Sequence, residues 1–152
     1  MRKKIHGKEV FYTIAWTPIV TYDRFNASRI LPELPGIAEI LSIEEGGHKT
    51  LMFLECWREG LRSGLKNLLE ADSPVFGDIR RRLNEYDTAF RFTEVTTSPH
   101  DLKDIMYWLI QATHAPFNNV EAFTDTGRYR AINVKEIARS GEDIIERIPP
   151  HR

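Results

Sequence analysis

The 152 residues are 41% hydrophobic and 28% charged, the make-up of one folded domain with a buried core, which excludes a disordered chain. Lys and Arg number 21 against 22 Asp and Glu, so no overall basic excess holds nucleic acid or an acidic membrane by charge alone. No apolar run approaches the roughly 18 residues of a membrane span, Arg2-Lys3-Lys4 leads into no apolar signal segment, and the single Cys56 leaves no intramolecular disulfide or Cys-rich zinc cluster, so a cytoplasmic protein is expected.

Val10, Tyr12, Ile14 and Trp16 alternate with Phe11, Thr13 and Ala15, which predicts a strand covered on both faces and ended by Pro18. A short helix is expected from Tyr22 to Ile30, before Pro32 and Pro35 force extended backbone. Ile37 to Ile43 and Lys49 to Glu55 flank Glu44-Glu45-Gly46-Gly47, the pattern of a β-hairpin. Leu61, Leu65, Leu68 and Leu69 then recur at helical spacing, with Arg58, Arg62 and Lys66 on a separate i, i+4 row.

Ser73-Pro74 caps a second helix marked by Val75, Phe76, Ile79 and Leu83 and crossed by Arg80-Arg81-Arg82. Phe90, Phe92 and Val95 alternate as a third strand. Ser98-Pro99-x-Asp101 then opens a helix carrying Leu102, Ile105, Met106, Leu109 and Ile110, closed by Ala115-Pro116-Phe117-Asn118. Tyr129 to Val134 reads as a strand. Ile137, Ile144, Ile145 and Ile148 fit a last helix interrupted near Ser140-Gly141.

The order hairpin, helix, helix, strand, helix, then an aromatic-Asn pair resembles the GIY-YIG endonuclease superfamily over about residues 33–118. Leu34-Pro35-Gly36-Ile37-Ala38-Glu39-Ile40 matches its first strand and Met52-Phe53-Leu54 its second. Leu61-x-x-Gly64-Leu65 matches the following helix, Tyr107-Trp108-Leu109-Ile110 the final helix, and Pro116-Phe117-Asn118 the close. The resemblance implies an α+β fold, a small antiparallel sheet flanked by helices, here with an extra N-terminal strand (residues 1–32) and a C-terminal strand and helix (residues 119–152). It also implies nuclease chemistry in which tyrosines position water, an arginine neutralises phosphoryl oxygens and a glutamate holds one divalent metal.

Most of those positions carry other residues. Ala38 and Met52 stand where the tyrosines belong, Leu54 replaces a glycine, Gly64 the arginine, and Ile105 or Met106 the glutamate; Asn118 is retained. A catalytically degenerate domain is therefore expected, with no cofactor, magnesium being needed only by an active nuclease. Asp101 and Asp104 could supply a metal ligand only in a different register. The candidate nucleic-acid contacts are Arg58, Arg62, Lys66 and Asn118, the partner being DNA or RNA. The alternatives are a protein-interaction or assembly domain and a divergent nuclease with a relocated site. Arg80-Arg81-Arg82 reads as a solvated face, Trp57 and Trp108 as core, and Cys56 as a small buried hydrophobe. The five histidines show no metal-binding spacing.

Overall fold

Gly46, at φ 90°, turns the chain tightly enough for β4 (Gly36–Glu44) and β5 (Gly47–Cys56) to pair antiparallel, Ile37 opposite Glu55 and Ile40 opposite Met52. On the other side of β4 lies β6 (Thr88–Glu94), also antiparallel, and the two-residue β3 (Val20–Thr21) completes a sheet of order β3-β6-β4-β5. This is the α+β core expected from the sequence, seen in a computed structural model that describes residues 1–69, 77–83 and 85–139.

The chain ends build a second sheet of order β1-β2-β7. The strand β1 (Arg2–His6) turns at Gly7-Lys8 to run antiparallel to β2 (Glu9–Trp16), and β7 (Ala131–Ala138) lies parallel to β2. At Pro18 the chain changes sheets. The Thr17 N–H donates to Phe92 O and the Phe92 N–H to Thr17 Oγ1, after which Val20 pairs with Phe90.

Helices cover both faces of the four-stranded sheet. One face packs Ala38, Ile40, Leu54, Phe90 and Phe92 against Ala27 of α1 (Arg24–Ile30), Leu61, Leu65 and Leu68 of α2 (Gly60–Leu69) and Leu83 of α3 (Gly77–Leu83). The opposite face packs Ile37 and Phe53 against Leu102, Ile105 and Leu109 of α4 (Pro99–Thr113) and against Val10, Tyr12, Ile14 and Trp16 of β2. Each of the Val, Leu, Ile and Phe side chains among these contributes about 1.5–3 kcal/mol when fully buried. The N-terminal extension thus shares the core rather than decorating it.

Several sequence expectations change. β2 buries one face fully and the other only in part: Phe11 is 39% exposed and Thr13 and Ala15 are half-buried, because only the inner side of this sheet meets α4. Asp23 caps α1 by accepting the Phe25 N–H, so the helix starts after Tyr22, whose ring packs edge-on against Phe90. Ile137 belongs to β7, opposite Ala15, and not to a helix. Trp57 and Trp108 are half-buried against the second core. The Ser73-Pro74 cap with Val75 and Phe76, and the Ile144, Ile145 and Ile148 pattern, lie outside the described residues. Among the described residues no helix is long and apolar enough to cross a membrane.

Candidate nucleic-acid interface

The row Arg58, Arg62, Lys66 does not survive folding as one row. Arg58 precedes α2, in a turn where the Trp57 N–H donates to Glu55 Oε1. Arg62 points back toward α1: its Nε donates to Leu31 O at 2.9 Å and Nη1 meets Glu33 at 3.0 Å. Of the three, only Arg58 and Lys66 remain exposed, one before α2 and the other on it. Asn118 spends both ends of its amide on one residue, accepting from the Phe53 N–H at 2.8 Å and donating to Phe53 O at 3.0 Å. It completes the edge of β5 as another strand would. The arginine run is also structural in part, with Arg80 donating to Leu68 O and Asn67 O and Arg82 stacked on Phe117.

The positions that the resemblance gives to nuclease chemistry do not fit a metal or a water-activating phenol. Ala38 and Met52 sit in the core under α1 and α2, while Ile105 and Met106 sit on the opposite side of the sheet. A Cβ on Gly64 would lie 2.6 Å from Cys56 Sγ, so α2 approaches β5 too closely for any larger side chain there. Cys56 is buried. Burial first, then Glu55 and Glu59, push its thiol up, away from thiolate chemistry.

Asp101 and Asp104 are already neutralised by the protein. Asp101 accepts from Lys3 Nζ (2.8 Å), the Tyr12 hydroxyl (2.8 Å), Thr97 Oγ1 (2.7 Å) and Arg128 Nη2 (3.1 Å). Asp104 accepts from the Thr126 N–H and hydroxyl and from Arg128 Nη2 at 2.9 Å. Burial pushes the Asp101 carboxyl up, but the bonds from Lys3, Thr97, Tyr12 and Arg128 outweigh it and hold that carboxyl well below the usual range. The bond to Asp101 correspondingly raises Lys3. A divalent ion would have to displace two cations to enter.

This cluster does fix β1. With Lys3 drawn inward to α4, strand alternation turns Arg2, Lys4 and His6 to the other face of the small sheet. Direct partners across the three strands share that face, forming the rows Lys4-Phe11-Asn133, Arg2-Thr13-Lys135 and His6-Glu9-Ala131. The His6 ring stands edge-on to Phe11 at 5.7 Å. Arg2, Lys4 and Lys135 are exposed, and among the described residues none of them makes an ion pair; Glu9 is the one carboxylate in these rows. Exposed Lys8 and Arg130 flank the end of the sheet, where the Arg130 N–H donates to Lys8 O.

A family model covers nearly the whole of this architecture, matching residues 1–151. The chain belongs to that family, described as "Uncharacterised protein". No curated protein and no solved structure matches it. The match takes in both chain ends, and with them β1, β2 and β7.

None of the open-face residues emerged as a site from the sequence. Arg2-Lys3-Lys4 was informative only as a start lacking an apolar segment, although Arg2, Lys4 and His6 alternate before Gly7-Lys8 as the first strand of a hairpin does. Lys135 joins them only through parallel pairing with residues more than a hundred positions away.

Proposed function

We propose that the protein is a catalytically degenerate GIY-YIG-like domain that binds single-stranded nucleic acid on the outer face of its β1-β2-β7 sheet. The observation that carries this reading is the exposed set Arg2, Lys4 and Lys135 around Phe11, fixed from behind by Lys3 on Asp101. Cations track phosphates, and an aromatic ring beside them offers a base a stacking surface worth about 1–3 kcal/mol. Local clustering replaces the overall basic excess that the chain lacks. The element order of the β4-β5 hairpin, α2, α3, β6 and α4 supports the resemblance, and the apolar burial of Ala38, Met52, Ile105 and Met106 supports loss of cleavage. The single, buried Cys56 suits the reducing cytoplasm.

The test is fluorescence anisotropy with a labelled oligonucleotide of about 12 nucleotides at several salt concentrations. Affinity is expected to fall with salt, and Arg2→Gln, Lys4→Gln and Lys135→Gln together to reduce the log–log slope by about 0.7 per lost contact. Arg58→Gln with Lys66→Gln should leave the slope unchanged. Salt-independent binding, or a slope lost only with Arg58 and Lys66, overturns the assignment. One observation favours the assembly reading: Phe25 is 78% exposed, with Ile30 and Leu34 also exposed nearby in sequence. Concentration-dependent self-association abolished by Phe25→Ser, without nucleic-acid binding, would establish it.

A further inference from the structure

At the junction of the two sheets, where β2 ends and Pro18 redirects the chain, a cavity of about 590 Å³ opens beside the end of β7. That volume lies in the range of small-molecule sites. Trp16, Pro18, Ile19 and Ala138 give it apolar walls, and Thr17, Arg91 and Arg139 bring donors to it.

Arg91 is the informative residue, because it is buried (8% exposed) and only partly used. Its Nε donates to Oε1 of Glu39, directly opposite on β4, at 2.9 Å and Nη2 to Oε2 at 3.4 Å, and its guanidinium stacks 4.8 Å from the Trp16 ring. No bond in the described residues uses Nη1, yet no buried side-chain nitrogen there lacks a partner. Nη1 is therefore not sealed from solvent, and Arg91 lines the cavity. Thr17 Oγ1 accepts the Phe92 N–H, which leaves its own O–H to donate. Arg139 holds Glu94 at 3.0 Å in a pair exposed on both sides, an interaction weak enough to exchange.

We propose that this cavity binds a small amphipathic carboxylate, its apolar body on Pro18, Ile19 and Ala138 and its carboxylate on Arg91 Nη1, the Thr17 hydroxyl and Arg139. A single negative charge is favoured over two. Glu39 and Glu94 already hold the two arginines, so a second charge on the ligand adds repulsion that no further cation among the described lining residues offsets. The site stands apart from the sheet face, and its test does not depend on nucleic-acid binding.

The experiment is a titration of the 15N-labelled full chain with 3-phenylpropionate, followed at the Trp16 indole and the Thr17, Ile19 and Ala138 amides. Saturation with a Kd of about 1 mM or tighter is expected, with 3-phenylpropanamide and phenyl phosphate each weaker by about tenfold or more. Arg139→Gln should weaken binding by a similar factor, whereas Glu94→Gln, which frees Arg139, should tighten it about two- to fivefold. A purely structural Arg139–Glu94 pair would not move affinity in opposite directions. Equal binding of the amide, tighter binding of phenyl phosphate, shifts away from Trp16, or none at all overturns the proposal.

Discussion

Asp101 does two jobs on one side chain. Its backbone N–H donates to the Ser98 cap of α4, while its carboxylate gathers Lys3, Tyr12, Thr97 and Arg128 from three other parts of the chain. The sequence showed the cap because Ser-Pro-x-Asp is a local pattern. The cluster left no mark, since Tyr12 and Arg128 stand 89 and 27 positions away. Asp101→Asn should cost about 3 kcal/mol, as an uncompensated partner is left in a buried network. Lys3→Met should cost about 1 kcal/mol or less, Lys3 being partly exposed and the other donors remaining. The native Asp101 carboxyl titrates below its unfolded value, so its stabilisation is complete above about pH 4 and lost as pH falls through the native pKa. Urea midpoints at neutral and acid pH should show wild type losing more stability than Asp101→Asn; parallel losses would remove Asp101 from the acid response.

At the scale of elements, close packing of α2 on β5 decides what position 64 can hold. Gly64→Ala should cost about 1–3 kcal/mol through overpacking against Cys56. Adding Cys56→Ala should recover part of that cost, and a double-mutant cycle with no coupling would contradict the geometry. Asn118→Ala should cost about 2 kcal/mol for its two bonds to Phe53 and speed exchange of the Phe53 amide, without altering oligonucleotide affinity. The hairpin, β6 and α4 were legible because turn glycines, alternation and a helix cap are all local. In the second sheet β2 and the first half of β7 were legible as strands, but β1 and the pairing were not. Phe11 and Asn133 are paired in parallel across most of the chain, and Ile137, which fits a helical spacing in the sequence, stands in β7 opposite Ala15.

For the whole molecule, the two sheets differ in how much of their surface they bury. The four-stranded sheet is buried on both faces and provides the platform, whereas the small sheet hides one face against α4 and offers the other. The near-zero net charge conceals this asymmetry, because a sum over the chain cannot show that Arg2, Lys4 and Lys135 share a side. The replacements at the positions the resemblance gives to catalysis were readable from residue identity, but the proposed interface depends on long-range pairing and was not. The most direct measurement is a map of backbone amide shifts in the full chain on titration with an unlabelled single strand of about 12 nucleotides. The account predicts perturbations at Lys4, His6, Phe11, Asn133 and Lys135, reversed by added salt; shifts confined to Arg58–Lys66 or to α1, or none at low salt, would contradict it.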